Sequence, residues 1–181
     1  NNELNRRVFL QQGLAVGVAG LGLSRITASS YARAIGANER INVGLIGCGG
    51  RGQYIIKNMA KPSDPNFSLV AVSDIWKSRL EEYANAAAGM FDAKPKAHAD
   101  YRKVLEDPGV DAVIIATPDH QHSALATEAV LAGKHVYIEK PIIGLACDIG
   151  DLNKCYDTVK ASKMVVQHGT QGVSCPAARA L

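Results

Sequence analysis

The sequence predicts a doubly wound α/β fold, in which a parallel sheet is covered by helices on both faces. Two observations carry that prediction. From residue 41 onward, short apolar runs alternate with stretches of helical period, the pattern of repeated βαβ units. The first apolar run also opens straight into a glycine-rich turn, the usual junction of a strand with a helix that meets a phosphate. Internal repeats and low-complexity tracts are absent, which leaves solenoids and linkers out of consideration.

Taken in order, Ile41 to Ile46 is a buried strand and Gln53 to Ala60 a helix with Ile55, Ile56 and Met59 on one face. Lys61 to Asn66 is loop chemistry, with two prolines in six residues. Phe67 to Ser73 is the second strand, and Ser78 to Ala88 an alanine- and glutamate-rich helix closed by Gly89. A minor strand is expected at Ala97 to Ala99, then a short helix from Tyr101 to Glu106 and a turn at Asp107-Pro108-Gly109. Val110 to Ala116 is the clearest strand. Ser123 to Leu131 is a helix stopped by Gly133, His135 to Ile138 a strand, Asp148 to Ala161 a helix, and Met164 to Gln167 a last strand.

The formal charge of +3 is concentrated at one end. Four of the 20 basic residues and one of the 17 acidic ones precede residue 35, leaving 16 of each sign in the body. A balanced body lacks the dense basic face of a nucleic-acid groove, so no nucleic-acid partner is expected. The four cysteines, Cys48, Cys147, Cys155 and Cys175, show neither CxxC spacing nor a companion histidine pattern, so neither a metal site nor a disulfide framework is expected.

Residues 1–34 read as an export address. Arg6-Arg7-Val8-Phe9-Leu10 resembles a twin-arginine signal, Gly13 to Leu23 is an apolar stretch with no polar face, and Ala32-Arg33-Ala34 offers a small-x-small cleavage site. The apolar stretch falls short of the about 20 residues that span a bilayer, so no stable membrane insertion is expected after cleavage. A buried N-terminal helix is the alternative. The expected destination is the periplasm or the exterior.

The turn itself is Gly47-Cys48-Gly49-Gly50-Arg51-Gly52, a G-x-G-x-x-G. Gly47 permits the tight turn, Gly49 the close approach of a pyrophosphate, and Gly52 the packing of helix on sheet; the helix N-terminus favours the phosphate charge. Asp74 follows 22 residues after Gly52, close to the expected position of a carboxylate that accepts hydrogen bonds from an adenosine ribose, and a helix N-cap is its other reading. A carboxylate there favours NAD over NADP, while Lys77 and Arg79 blur the preference. FAD and S-adenosylmethionine sites share such turns, and the turn alone does not separate them.

Thr117-Pro118-Asp119-His120-Gln121-His122 follows the clearest strand, and Gly133-Lys134-His135-Val136-Tyr137-Ile138-Glu139-Lys140-Pro141 comes soon after. With the glycine turn and Asp74, these segments resemble the Gfo/Idh/MocA oxidoreductase family over about residues 42 to 171. The resemblance implies a dinucleotide-binding Rossmann domain at 35–168 and, at 169–181, the cut-off start of a C-terminal substrate domain. It implies that Gly47, Gly49, Gly50, Arg51 and Gly52 hold the pyrophosphate and Asp74 the adenosine ribose. Thr117, Pro118 and His122 would line the nicotinamide ribose, and Glu139 the nicotinamide side. Lys140 would face nicotinamide and substrate, with Lys140–Pro141 as a cis bond. Lys140 and His122 are the catalytic candidates; a surface lysine and a loop histidine are their plainer readings. The implied activity is hydride transfer between NAD and a hydroxyl of a sugar, polyol or glycoside, in a full-length homo-oligomer. Two other readings stay open: a glycosidase that oxidises its sugar transiently, and a non-catalytic dinucleotide-binding fragment.

Overall fold

The computed structural model describes residues 40–59, 67–91, 93–144 and 149–170. Residues 1–34, for which an export signal was expected, the 61–66 loop, Cys147, Cys175 and residues 171–181 lie outside the described residues. The elements are β1 (Ile41–Ile46), α1 (Gly50–Met59), β2 (Phe67–Ser73), α2 (Lys77–Ala87), β3 (Lys96–His98), α3 (Arg102–Glu106), β4 (Ala112–Ile115), α4 (His122–Leu131), β5 (His135–Glu139), α5 (Ile149–Ala161) and β6 (Val166–Gly169). A 3₁₀ turn, Asp119–Gln121, leads into α4.

The six strands form one sheet in the order β3-β2-β1-β4-β5-β6, with every pairing parallel. Parallel neighbours require crossover connections, so helices must lie on the faces and each strand is apolar on both sides. The alternation along the strands divides the core in two. Val43 and Leu45 of β1, Leu69 and Val72 of β2 and Ile114 of β4 pack with Ile55 and Ile56 of α1 and Leu80 and Tyr83 of α2. Ile46, Val113, Ile115, Val136 and Ile138 point the other way, toward Val104 of α3, Leu125, Ala126 and Ala129 of α4 and Cys155 of α5. Each such Val, Leu or Ile side chain contributes roughly 1.5–3 kcal/mol on burial, which makes these two layers the main source of stability.

Several boundaries differ from the sequence expectation, each for a local reason. Helix α1 starts three residues early, at Gly50, because the Gln53 N–H already bonds the Gly49 carbonyl; its Met59 is exposed rather than part of the buried face. Val110 belongs to the turn before β4, its N–H committed to the Asp107 carbonyl. Strand β6 begins two residues late, at Val166. The Val165 N–H is taken by His135 Nδ1, outside the ladder, and Met164 packs beneath the sheet. Among the described residues, no helix is long and apolar enough to cross a membrane.

Candidate functional site

The first turn after β1 is held by backbone geometry that side chains would spoil. Gly47 has φ +98°, and a Cβ there would lie 2.6 Å from the Ala116 carbonyl oxygen. A Cβ on Gly52 would run into the Gly47 carbonyl, so the α1 backbone passes directly beneath the turn. Gly49 faces open space, with Arg79 Nη1 at 3.8 Å as the nearest atom to its absent Cβ, and Gly50 meets nothing within 4 Å. The turn is fastened to the end of β2, for Gly47 N–H donates to the Ser73 carbonyl at 2.8 Å. These glycines leave a bare cradle at a helix N-terminus, a shape and polarity suited to a diphosphate.

Asp74 sits beside this cradle and does not cap α2, whose first turn has no side-chain cap. Its Oδ2 accepts from the Cys48 N–H at 2.9 Å and its Oδ1 from the Trp76 N–H at 2.8 Å. A carboxylate oxygen has two lone pairs, so both oxygens stay able to accept from ribose hydroxyls while the group cannot swing. Cys48 is buried, with its thiol donating to the Ser73 carbonyl. Burial and then the Asp74 charge push that thiol up to about 12, so it stays protonated and acts as a small filler. A cleft of about 540 Å³ runs past Gly47, Gly49, Asp74, Ile75, Tyr101 and Thr117 at the C-terminal ends of β1, β2 and β4, where ligands bind in open α/β sheets. Ile75 is 92% exposed on its wall, a large apolar side chain with no protein partner to cover it.

Arg51, Ala116 and Thr117 also line a second cavity, of about 450 Å³, together with His122, Glu139 and Lys140. Glu139, 4% exposed at the end of β5, accepts from Arg51 Nη2 at 2.6 Å and from the Tyr137 hydroxyl at 3.2 Å. The bond to Glu139 raises the Arg51 guanidinium, whereas burial followed by the Glu139 charge raises the Tyr137 phenol. Arg51 thus spans from the glycine turn to β5 and has its charge met by protein. The Lys140 side chain is exposed and has no hydrogen bond or ion pair among the described residues. The Lys140–Pro141 bond is cis.

His122 opens α4 and is 1% exposed. Its Nδ1 lies 2.6 Å from the Pro141 carbonyl and its Nε2 2.9 Å from the Thr117 carbonyl. Each ring nitrogen faces a backbone carbonyl, so neither is left to meet a substrate. Ser123, next in line, donates to the Ile142 carbonyl. Pro118 is exposed on the cleft wall beside Thr117, and His120 is exposed on the 3₁₀ turn.

Sequence reasoning did not single out Tyr137, Ser123, Trp76 or Gly169 for the site. Gly169 leaves room for the Tyr137–Glu139 pair: a Cβ there would lie 2.5 Å from the Tyr137 hydroxyl and 3.0 Å from Glu139 Oε1. The only signal available in advance was the strand period, which puts Tyr137 and Glu139 on one face.

The chain is 33% identical over 131 residues to the scyllo-inositol 2-dehydrogenase (NAD(+)) of Bacillus subtilis (strain 168), covering 72% of this chain and 36% of that protein. It is 28% identical over 139 residues to glycosyl hydrolase family 109 protein 2 of Shewanella sp. (strain ANA-3), covering 74% of this chain and 30% of the other. The crystal structure of an NAD-binding oxidoreductase from Klebsiella pneumoniae superposes with a TM-score of 0.64 at 31% identity, over 78% of this chain and 37% of that one. The chain therefore spans about a third of the length of these relatives. Residues 41–170 match the GFO_IDH_MocA family, described as an oxidoreductase family with an NAD-binding Rossmann fold, and with the glycine cradle and the fixed Asp74 that the fold requires, the chain belongs to that family.

Proposed function

We propose that the whole protein is an NAD-dependent oxidoreductase acting on a hydroxyl of a sugar, polyol or glycoside. The observation that carries this reading is an exposed Lys140, its side chain without a hydrogen bond or ion pair among the described residues, in a cavity that shares Arg51, Ala116 and Thr117 with the phosphate cradle. Gly47, Gly49, Gly50, Gly52 and Asp74 hold the diphosphate and adenosine ribose, Arg51 braces that turn against Glu139, and Thr117, Pro118 and Glu139 line the other end. When bound, the coenzyme supplies a hydride acceptor or donor. The Lys140 ammonium stabilises the alkoxide that develops on the substrate oxygen, releasing one proton to water as it takes up the one the hydroxyl loses. His122 and Ser123 act on the backbone that follows Lys140, bonding the carbonyls of residues 141 and 142. The inositol dehydrogenase relative supports a carbohydrate-like substrate. A fixed Asp74 carboxylate repels a 2′-phosphate, which supports NAD over NADP.

A second reading, glycoside cleavage through transient oxidation, draws on the family 109 relative. Net NADH formation from a free polyol separates it from simple oxidoreduction. Residues 1–34 serve export by the twin-arginine route to the periplasm or exterior, and the full-length protein is a homo-oligomer; the arginine pair and apolar stretch support the first of these.

The test is steady-state NADH formation by the full-length protein on a panel of inositols and free sugars, with Lys140→Met alongside. Wild type is expected to turn over at least one of them, and the variant to lose about 100-fold or more in kcat with NAD affinity little changed. Turnover by Lys140→Met at the wild-type rate defeats the assignment of Lys140.

A further inference from the structure

Beyond the coenzyme-binding reading, on which it rests, the cleft holds a cation to which that reading gives no role. Arg79 lies in the first turn of α2, half-buried on the cleft wall. Its guanidinium is stacked on the Trp76 indole, 4.4 Å from the ring centroid. Apart from that stack it has no hydrogen-bond or ion-pair partner among the described residues. A guanidinium held over a ring by its face keeps its in-plane N–H donors available, the arrangement in which arginine takes an oxyanion edge-on.

The position of those donors identifies the anion. Nη1 is 3.8 Å from the point where a Gly49 Cβ would stand, and that point is the space a glycine at this position leaves for a diphosphate. The cradle is also short of cationic help. The Cys48 N–H, which could face a phosphate, is spent on Asp74, and Arg51 is committed to Glu139 at 2.6 Å. We propose that Arg79, pinned by Trp76, is a diphosphate-binding residue of this cleft, bonding an oxygen of the pyrophosphate from the α2 side. A 2′-phosphate offers the same chemistry; the fixed Asp74 carboxylate beside the ribose position argues for the diphosphate.

Isothermal titration of the 181-residue chain with ADP, 5′-AMP and adenosine 2′,5′-bisphosphate tests this. In wild type, ADP is expected to bind more tightly than 5′-AMP. Arg79→Ala should weaken ADP about tenfold or more and 5′-AMP far less, since one charge-assisted bond to the second phosphate is lost. Arg79→Lys should recover part of the loss, and Trp76→Ala should fall between wild type and Arg79→Ala because the platform is gone. Unchanged ADP affinity in Arg79→Ala overturns the proposal, as does a loss confined to the 2′,5′-bisphosphate. Asp74→Ala keeps the two readings apart: weaker binding of both ADP and 5′-AMP there, with no effect of Arg79→Ala, leaves the coenzyme site standing and removes Arg79 from it. Failure of wild type to bind any of the three nucleotides removes both.

Discussion

At the scale of single residues, the site depends most on a side chain that is missing. Gly47 combines a positive φ with direct contact on the Ala116 carbonyl, so Gly47→Ala imposes an unfavourable backbone conformation and a clash at once. We expect that variant to lose at least about 2 kcal/mol of unfolding free energy in urea titrations and to bind no ADP. A wild-type midpoint would mean that the turn relaxes freely. The glycines and Asp74 were legible in the sequence because fixed spacing along one strand-turn-helix-strand unit defines them, whereas Lys140 stood out only through the Glu-Lys-Pro segment of the family resemblance. Arg79 was visible only as a charge near Asp74, since its stacking on Trp76 and its reach to Gly49 arise from how α2 packs. The two carbonyls at the ring nitrogens of His122 were not legible at all, because Thr117 and Pro141 meet there only once β4 and β5 are paired.

At the scale of elements, strand identities followed from apolar runs, while the ends were decided by polar contacts that the runs do not encode. Lys134 shows how. The motif Gly133-Lys134-His135 reads as a stop before a strand, yet Lys134 is 7% exposed and its ammonium donates at 2.8 Å to the Asp107 and Val110 carbonyls. It thereby ties the turn before β4 to the start of β5. Lys134→Met keeps the stem and removes both bonds. A loss of about 2 kcal/mol is expected, read from denaturant unfolding with an unchanged m-value. A neutral result would assign the stability to the methylene stem alone.

At the scale of the molecule, the fold was legible almost whole, because six apolar runs separated by helices admit few arrangements of a parallel sheet. One corner of it carries a pH signature. The Asp107 carboxyl is held below its ordinary value, first by the Lys96 ammonium at 2.7 Å and then by the Gly109 N–H. With the folded value lowered, its contribution is complete above the unfolded value of about 4 and drains as pH falls through the folded one. Urea midpoints are therefore expected to fall below about pH 4, and Lys96→Met should flatten that decline. An identical slope in the variant would place the acid sensitivity elsewhere.

The link from Arg51 to Glu139 has a consequence for anyone altering the coenzyme end of this protein. The guanidinium starts in the glycine turn and finishes on the residue before Lys140. It works as a strut between the glycine cradle and the end of β5 that leads into Lys140. The glycine turn and the end of β5 are then not separate design variables, and a turn swapped in from another Rossmann domain must bring its own brace for β5.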